Sequence, residues 1–461
     1  MNTTDIAIVG GGFSGIYSAW RLASTGAKVT LFEASEQLGG ASLKSQQWHE
    51  HWLDNGTHNL DLRSKKNNDF FADVLGSELK IIDQHAWAST IDTHWTFGLE
   101  SPDLSVDEPE LSSEILSEMQ QLSETNGNSL HKLDDSEMPL SQWYQRHYGD
   151  KLSKVVLPMI RKATGADPHL MSAGAANTLG IFTRIKLDDD QEMIHRKSSS
   201  PFWNEKLAVT LDCNDERYLG SNTNPKFGYP ASNGLAGFGK KAIQRLLELG
   251  VNVCTNETIV SIQKNSSFLE VSSENQKINT KKLLWTLPDH LLARIVGVDT
   301  DIIQRQIPVG FSFYAFEVPR DCIAGPDYLH DFSTKTLAFR YSHPSRYTNA
   351  YTDDGFGYVL AEIPAHPGNM SSFQTQDIQD RVWSDLIASG YLLKGSYFRN
   401  ATHWPLPVGF SVPRPGFTSN YTDYRHAIET RFPGLYTIEP VLRGRSAYIA
   451  GYDGKMHHKL L

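Results

Sequence analysis

The chain is poor in cysteine, lacks long apolar runs and carries no excess of positive charge. Its 461 residues include three scattered cysteines, Cys213, Cys254 and Cys322, which lack the spacing of a metal site. No apolar run approaches the ~20 residues that a membrane-spanning helix needs. The formal net charge of -10 argues against nucleic acid or an anionic membrane as a partner. These absences leave a small molecule as the expected substrate and the reducing cytoplasm as the expected location.

Length and composition predict a globular protein with two domains. A chain of 461 residues is too long for one ordinary core. Hydrophobic residues make up 39% and charged residues 21%, which is normal for a globular protein. The first apolar stretch begins almost at the N-terminus, so we expect no signal peptide. The sequence leaves the oligomeric state open, and a homodimer is one arrangement that it allows.

A glycine-rich turn near the N-terminus is the most specific signal in the chain. Residues 6–9 form an apolar, β-branched run that predicts a buried strand. A G-x-G-x-x-G turn follows at once, with Gly10, Gly12 and Gly15, and an apolar helical stripe comes after it. A second strand then ends at Glu33. A complete strand–turn–helix–strand–Glu unit of this kind predicts a dinucleotide-binding site.

Each part of this unit has a physical role in holding a dinucleotide. Gly10 allows the tight turn, Gly12 lets the pyrophosphate approach the backbone, and Gly15 lets helix and strand pack closely. The start of the helix offers free N–H groups and a positive dipole end to the phosphates. Glu33 is placed to accept hydrogen bonds from a ribose 2′-hydroxyl, which argues against a 2′-phosphate.

The residues after Glu33 resemble those of one group of flavoproteins. The chain reads A-S-E-Q-L-G-G, so a second glycine pair, Gly39 and Gly40, follows the glutamate. This is similar to the extended fingerprint of the flavin-containing amine oxidase, protoporphyrinogen oxidase and UDP-galactopyranose mutase superfamily. The resemblance implies FAD, with the glycine pair in a loop close to the diphosphate and the isoalloxazine ring. Many members carry Arg or Asn directly after the pair, where this chain has Ala41.

Two further segments extend the resemblance. The D-x-G-x-H stretch from Asp54 to His58 resembles the loop beneath the flavin in the mutases. A neutral histidine at that position would tune the flavin N5 or shuttle a proton, whereas the alternative is a histidine hydrogen-bonded for structure. In the second FAD segment, a valine at the position of Val260 holds the adenine through its backbone. The alternative for Val260 is an ordinary strand valine.

The C-terminal segment resembles the third signature of the nucleotide-sugar mutases. There an arginine, here Arg445, faces the flavin, and an aspartate, here Asp453, opens a helix whose N-terminus lies near the flavin O2 edge. The amides of Gly454 and Lys455 would then stabilise negative charge on the reduced ring. The alternative for Arg445 is a surface salt bridge. Because no cysteine lies in this signature, the resemblance implies FAD that is bound non-covalently.

The motif and the resemblance together define the candidate site. The candidate catalytic residues are His58 and Arg445. Trp285, His403, Trp404 and Tyr448 are candidates for an aromatic pocket wall, with simple core packing as the alternative. The candidate cofactor-binding residues are Gly10, Gly12, Phe13, Ser14, Gly15, Glu33, Ala34, Gly39, Gly40, Ala41, Gly56, Thr57, His58, Val260, Arg445, Asp453, Gly454 and Lys455.

The predicted fold class is α/β, with a Rossmann-like FAD-binding domain built from three chain segments and an interleaved α+β substrate domain. The FAD-binding domain takes residues 1–64, 225–300 and 415–461. The substrate domain takes residues 65–224, a mostly helical insert, and residues 301–414, an antiparallel sheet. Within the insert, residues 111–122 show helical periodicity, and residues 139–144 and 157–160 each predict a helix start. Within the sheet, strands at residues 337–341 and 358–363 are expected to pair with a strand at 311–317.

Three functional classes remain open at this point. An FAD-dependent oxidoreductase, oxidase or dehydrogenase, would transfer a hydride from a small molecule to the flavin N5. A mutase-like isomerase would act on a nucleotide sugar through reduced FAD and would need cations for the diphosphate. A flavin-bound scaffold would have no turnover. The cations available for a diphosphate are Arg340, Arg346, Arg414 and Arg443, with Tyr347 near.

Overall fold

The computed structural model describes residues 2–82, 87–92, 94–126, 137–210, 227–298, 301, 304–439 and 444–461, so Cys213 and Arg443 lie outside the described residues. The α-helices are, in chain order, α1 (Phe13–Ala23), α2 (Lys65–Leu75), α3 (Pro109–Asn126), α4 (Leu140–Tyr148), α5 (Asp150–Thr164), α6 (Gly174–Leu179), α7 (Asp190–Ser199), α8 (Pro201–Lys206), α9 (Ala236–Glu248), α10 (Asp289–Val296), α11 (Gln376–Ala388), α12 (Phe417–Arg431), α13 (Arg445–Tyr452) and α14 (His458–Leu460). The strands are β1 (Asn2–Val9), β2 (Val29–Phe32), β3 (Ser45–Trp48), β4 (His51–Asp54), β5 (Leu60–Asp61), β6 (Leu79–Ile82), β7 (Trp87–Thr90), β8 (Thr96–Phe97), β9 (Phe227–Pro230), β10 (Asn252–Cys254), β11 (Ile259–Lys264), β12 (Leu269–Ser273), β13 (Lys277–Trp285), β14 (Gln306–Pro319), β15 (Tyr328–Asp331), β16 (Arg340–Ser342), β17 (Phe356–Ala365), β18 (Asn400–Pro413) and β19 (Leu435–Thr437). These elements confirm the predicted α/β class.

The chain divides into two compact units, each made of separate stretches of sequence. Unit 1 consists of Met1–Asp83, Lys226–Gln304 and Ser419–Leu461, and unit 2 consists of Gln84–Pro225 and Arg305–Thr418. The sequence placed residues 65–82 in the substrate domain, and this assignment was wrong. These residues belong to unit 1 because α2 packs its aromatic side chains onto α9, where the Phe71 and Phe238 ring centroids lie 5.7 Å apart.

Unit 1 is built around a sheet whose central strands are parallel. The strand order is β10-β2-β1-β13-β12-β11, and β19 pairs with β13. The pairs β10–β2, β2–β1, β1–β13 and β13–β19 are parallel. Val9 of β1 and Thr437 of β19 both align with Trp285 of β13, so the carboxyl ends of these three strands meet at one edge. In open sheets of this type, ligands bind at that edge.

The helix after β1 packs onto the sheet through the predicted apolar stripe. Ile16, Ala19 and Leu22 of α1 are all fully buried. An aromatic cluster covers the other side of the helix, where the ring centroid of Tyr17 lies 5.0 Å from that of Phe70 in α2. The burial of these apolar side chains fixes the start of α1 against the end of β1.

The helical part of unit 2 has its own core. The predicted helix at residues 111–122 is confirmed as α3, and the start predicted at Pro139 is confirmed because Pro139 is the N-cap of α4. The start predicted at residues 157–160 was wrong, since Pro158 lies inside α5. Pro158 is tolerated there because it and Lys154, whose carbonyl loses its partner, are both exposed to water.

In the described part of unit 2, the strands of the main sheet follow the order β18-β14-β17-β16-β15-β7-β8. The predicted pairing of β17 with β14 is confirmed, with Phe313 opposite Glu362. The predicted pairing of the 337–341 strand with β14 was wrong, because Arg340 pairs with Glu362 of β17 instead. Sequence reasoning also missed β18, whose three prolines, Pro405, Pro407 and Pro413, give it a weak strand signal. Among the described residues, no helix is both long and apolar enough to span a membrane.

Candidate functional site

The three glycines of the first turn differ in what surrounds them. Gly10 has φ +106°, and a Cβ placed on it would lie 2.4 Å from Thr286 Oγ1. A Cβ placed on Gly15 would lie 1.9 Å from the carbonyl oxygen of Gly10, so Gly15 is required by packing. For Gly12, by contrast, the nearest atom of the described residues is the Gly40 Cα at 3.8 Å. The space in front of Gly12 is therefore open to a ligand, whereas Gly10 and Gly15 are closed in by the protein.

The N-terminus of α1 opens toward the same turn. Gly12 is the N-cap and has no side chain that could accept from the first N–H groups of the helix. Phe13 is buried and Ser14 is half-buried, so the first turn is held firmly without being covered completely. The N–H groups at a helix start and the positive end of the helix dipole favour the binding of an anion.

The Glu33 carboxylate lies directly beside this turn. One of its oxygens accepts from the Gly11 N–H at 2.8 Å, and the other accepts from the N–H and the hydroxyl of Ser35 at 2.8 and 2.7 Å. The oxygen that accepts from Gly11 can accept a second hydrogen bond, so Glu33 is held in place and can still bind a hydroxyl group. The neighbouring Ala34 is exposed.

The second glycine pair packs against the first turn. Gly39 donates its N–H to the Gly11 carbonyl at 2.8 Å, and it forms a parallel bridge with Gly12. Gly40 has φ +62°, and a Cβ placed on it would lie 3.1 Å from the Gly12 Cα. The next residue, Ala41, is exposed, and its carbonyl accepts from Asn55 Nδ2 at 3.1 Å. The two glycine segments thus form one cradle of backbone atoms. A side chain at Gly12 or Gly40 would occupy the space inside it.

The D-x-G-x-H stretch is anchored by a buried aspartate. Asp54 accepts hydrogen bonds from the Ser45 hydroxyl at 2.5 Å, from the Leu235 N–H at 3.0 Å and from the Tyr229 hydroxyl. Burial raises the pKa of Asp54 to about 6, against the opposing effect of these three donors. Asp54 thereby ties the β3–β4 hairpin to the second chain segment of unit 1. Gly56, with φ +96°, and Thr57 are buried, and the chain then reaches the half-buried His58.

The two predicted catalytic residues meet at this position. Arg445 Nη1 donates to the backbone carbonyl of His58 at 3.3 Å, and both side chains are half-buried. Arg445 is the first residue of α13, and the N-cap Gly444 has φ +119°. The contact brings the start of the C-terminal helix to the end of the D-x-G-x-H stretch.

The expectation that Asp453 opens a helix was wrong. The helix starts at Arg445, and α13 continues through the π-helical turn Asp453–His457 into α14. Asp453 lies 3.3 Å from Arg21 and 2.8 Å from Lys66 in ion pairs. The amides of Gly454 and Lys455 are consequently inside a helical run and do not form its free N-terminus. Buried residues at every fourth position, Tyr448, Tyr452, Met456 and Leu460, produce this continuous helix.

Glu439 is a candidate functional residue that the sequence analysis did not identify. It follows β19 by two residues, at the edge where the parallel strands of unit 1 end. Its carboxylate lies 3.2 Å from Arg425 and 3.5 Å from both Lys455 and Lys459. Burial alone would raise the pKa of Glu439, but these cations hold it below its usual value. An acidic residue directly after a parallel strand is a signal that would have identified it.

The second chain segment runs alongside Glu33. The Glu33 N–H donates to the Cys254 carbonyl, and the Glu257 N–H donates to the Glu33 carbonyl, both at 2.9 Å. Val260, three residues further on, lies at a β-bulge between Ile259 and Ser261, and its side chain is 50% exposed. The bulge removes the backbone of Val260 from the regular ladder with β12, which suits a backbone contact to a ligand.

The proposed pocket aromatics are distributed over both units. In unit 1, Trp285 and Tyr448 are buried in the core, where Trp285 Nε1 donates to Pro288 and the Tyr448 hydroxyl lies 2.7 Å from Ser18 Oγ. In unit 2, His403 is exposed and Trp404 is half-buried, both on β18.

Two of the four arginines considered for a diphosphate, Arg340 and Arg346, are paired with carboxylates of unit 2. Arg340 forms a bidentate pair with Glu362, and Arg346 lies 3.3 Å from Asp327. The Tyr347 hydroxyl donates to the Asp327 carbonyl at 3.3 Å.

Comparison with known proteins agrees with this geometry. Residues 8–74 match the family model of the NAD(P)-binding Rossmann-like domain. A stretch of 36 residues is 58% identical to thiamine thiazole synthase from Desulfosudis oleivorans, although it covers only 8% of this chain and 14% of that enzyme. Unit 1 therefore contains a Rossmann-like dinucleotide-binding segment.

Solved structures share the fold over nearly the whole chain. An Exiguobacterium sp. 255-15 protein assigned as a protoporphyrinogen oxidase matches with a TM-score of 0.66 and 15% identity, covering 100% of this chain and 99% of that one. Reduced UDP-galactopyranose mutase matches with a TM-score of 0.66 and 15% identity, over 99% and 93% of the two chains. A triple mutant of putrescine oxidase matches with a TM-score of 0.59 and 15% identity, over 94% and 92%. The resemblance seen in the sequence is thus confirmed at the level of the fold.

Proposed function

We propose that the protein binds FAD non-covalently in unit 1 and uses it to oxidise a small organic molecule. The observation that carries this proposal is the backbone cradle, in which the open space at Gly12 meets Gly40 and the uncapped start of α1. A dinucleotide diphosphate needs this combination of close backbone approach and free N–H groups.

The residues present fit the cofactor. The first-turn amides of α1, at Phe13, Ser14 and Gly15, would hold the diphosphate. Glu33 would bind the adenosine ribose, and the bulged backbone of Val260 would contact the adenine. Non-covalent binding is supported by the absence of cysteine from the C-terminal part of the sequence, residues 323–461.

When bound, FAD supplies a two-electron acceptor for a hydride from the substrate, and the electrons then pass to dioxygen or another oxidant. Arg445 and the N-terminus of α13 are assigned to stabilise negative charge that develops during the reaction. His58, whose carbonyl is held by Arg445, is assigned to carry a proton. The substrate is proposed to bind in unit 2.

Isomerisation of a nucleotide sugar is the second candidate. The match to reduced UDP-galactopyranose mutase, equal in TM-score to the first structure, favours this candidate. We rank it second because the Arg340 guanidinium is already paired through two nitrogens with the buried Glu362. A diphosphate would have to compete with that carboxylate for the cation.

Cofactor binding is tested on the purified protein. Acid precipitation should release a yellow supernatant that chromatographs as FAD. Titration of apoprotein should show that Glu33→Ala weakens FAD binding by about 1–3 kcal/mol, because a charge-assisted hydrogen bond is lost. The exposed Glu36 offers a matched control, and Glu36→Ala should leave the affinity unchanged. Colourless protein that cannot take up FAD, or flavin that stays in the pellet, would contradict the proposal.

The type of reaction is tested by anaerobic mixing with candidate amines, other small metabolites and UDP-sugars. Bleaching of the oxidised flavin by a substrate is the result expected of an oxidoreductase, and Arg445→Ala should slow it. Turnover of a UDP-sugar only after reduction with dithionite, without bleaching by any substrate, would establish the isomerase instead.

A further inference from the structure

One line of side chains crosses the sheet of unit 2 on a single face. Directly paired residues have their side chains on the same face of a sheet. We call the following six residues, from β18 to β7, the transverse row: Trp404, Phe313, Glu362, Arg340, His330 and Ser89.

The β18 end of the transverse row is aromatic. The ring centroids of Trp404 and Phe313 lie 5.2 Å apart. Phe313 is buried, whereas Trp404 is half-buried. An aromatic surface of this kind binds apolar groups, with π contacts adding to the burial of area.

The centre of the row holds a fixed hydrogen-bond donor. Arg340 Nε and Nη2 donate to the two oxygens of Glu362 at 2.8 and 2.6 Å, and the Glu362 side chain is 2% exposed. The Arg340 side chain remains 20% exposed, and none of the described residues accepts a hydrogen bond from its Nη1. The bidentate pair orients the guanidinium and leaves this nitrogen available to a ligand.

The next residue of the row supplies an acceptor. His330 Nδ1 lies 3.1 Å from the Glu100 carbonyl, and a carbonyl can only accept, so Nδ1 carries the proton. Nε2 is then an acceptor, and the described part of the chain contains no donor to it. Burial, together with the neighbouring Arg340, lowers the pKa of His330 to about 4, so the ring is neutral at pH 7.

The charges around this donor and acceptor select against ionised ligands. Glu362 balances Arg340, and the Glu100 carboxylate, which accepts from the Tyr328 hydroxyl at 2.5 Å, adds a negative charge. A ligand carboxylate would therefore meet repulsion. A ligand ammonium would face the Arg340 guanidinium, whose positive charge is held in place by the bidentate pair with Glu362.

We propose that the transverse row binds an elongated apolar substrate that ends in an uncharged group with both a hydrogen-bond donor and an acceptor, such as a primary amide. The acceptor would bind Arg340 Nη1, the donor would bind His330 Nε2, and the apolar body would extend toward Trp404. Trp404 and Arg340 are three strand spacings apart, or about 14 Å. The inference rests on the proposed function in treating this ligand as the substrate.

Three probes with the same apolar body test the inference by calorimetric titration of the full-length protein. They are 4-phenylbutanamide, 4-phenylbutanoate and 4-phenylbutylamine. We expect the amide to bind at least about tenfold more tightly than the anion and the amine, since only the amide satisfies both groups. The double variant Arg340→Gln/Glu362→Gln, which leaves no buried charge unpaired, should weaken amide binding by about tenfold or more.

Two further variants serve as controls. The double variant Arg399→Gln/Glu317→Gln neutralises an ion pair of unit 2 that lies outside the row, and it should leave amide binding unchanged. Trp404→Leu should weaken all three probes and does not touch the ion pair, so it remains informative if the double variant does not fold.

The inference is overturned if the amide does not bind, if the anion or the amine binds as tightly, or if a folded Arg340→Gln/Glu362→Gln protein keeps full affinity. The FAD content of the same preparation is measured separately. Protein that binds the amide but takes up no FAD contradicts only the proposed function. Protein that contains FAD but does not distinguish the probes contradicts only the transverse row.

Discussion

The two units differ in the kind of group from which their candidate sites are made. In unit 1 the site consists mainly of backbone, because Gly12, Gly40 and the first turn of α1 offer space and N–H groups. In unit 2 the distinctive groups are side-chain ion pairs with little exposure, such as Arg340–Glu362 between neighbouring strands and Lys162–Asp331 between α5 and β15. A site made of backbone is disrupted when a substitution adds side-chain atoms. A buried ion pair is disrupted when a substitution removes one of its two charges.

The largest effect that follows from this difference is expected at the buried pair of unit 2. Lys162 is 8% exposed, and its Nζ lies 3.2 Å from Asp331 Oδ1, which is itself 1% exposed. Lys162→Met leaves the Asp331 charge buried and uncompensated, so we expect a loss of about 3–5 kcal/mol in the free energy of unfolding. Urea denaturation followed by circular dichroism measures it.

The matched control neutralises both members. Lys162→Met/Asp331→Asn should recover most of the loss, because the amide oxygen of the introduced asparagine would still accept from the Ser333 N–H or the Thr336 hydroxyl. A double variant as unstable as the single one would show that packing of the lysine stem, and not charge, stabilises this region.

The second prediction compares two glycines of the same turn in unit 1. Gly15→Ala places a methyl group 1.9 Å from a backbone oxygen, so we expect a loss of about 3 kcal/mol in the free energy of unfolding. Gly12→Ala meets only the Gly40 Cα at 3.8 Å, and it should change stability by less than about 0.5 kcal/mol. Thermal denaturation of the apoproteins distinguishes the two, and FAD titration should show weaker binding by Gly12→Ala. Equal destabilisation by both substitutions would mean that the space at Gly12 is not reserved for a ligand.

The same difference explains what could be predicted from the sequence. The turn at Gly10, Gly12 and Gly15 is local, so the spacing of a few residues was enough to predict it. The transverse row joins residues as distant as Ser89 and Trp404, and no local pattern connects them. Their alignment depends on strand order and register, which require the whole sheet.

The helix start predicted at Asp453 was wrong because the prediction did not use the helical periodicity of the C-terminal segment. The resemblance to the mutases placed a helix start at Asp453. The buried positions Tyr448, Tyr452 and Met456 instead follow the four-residue spacing of one continuous helix. The acidic residue Glu439 was accessible to a pattern argument, because it lies two residues after the parallel strand β19.

The third prediction concerns the response of unit 2 to acid. His343 is fully buried, and burial together with Arg346 and Arg320 lowers its pKa to about 3. The unfolded chain binds a proton near pH 6.5 and the folded protein does not, so the stability contributed by neutral His343 is complete above pH 6.5 and is lost as the pH falls below it. On going from pH 7 to pH 5, we expect this histidine to lower the free energy of unfolding by about 2 kcal/mol.

Denaturation at both pH values, compared with His343→Gln, isolates this contribution, since all other titrating groups cancel. The variant should lose about 2 kcal/mol less than the unmodified protein on going from pH 7 to pH 5. The exposed His403 gives the control, and His403→Gln should retain the original pH dependence. Identical pH profiles for the protein and His343→Gln would contradict burial of an uncharged ring.

The smallest effect is expected at Asp54 in unit 1, and it has the opposite sign. Because burial raises the pKa of Asp54 to about 6, above the unfolded value of 3.8, the folded protein binds a proton before the unfolded chain does. Acidification from pH 7 to pH 5 should therefore stabilise the protein through this group by about 1.4 kcal/mol. Asp54→Asn removes the ionisable group while keeping an acceptor for the Ser45 hydroxyl and the Leu235 N–H. Its stability relative to the unmodified protein should thus be higher at pH 7 than at pH 5 by about 1.4 kcal/mol.

The exposed Asp69 provides the control, and Asp69→Asn should not alter the dependence of stability on pH. If Asp54→Asn instead gains on the unmodified protein as the pH falls, the carboxylate is stabilised by its three donors more than it is destabilised by burial, and the contrast in acid response between the two units does not hold.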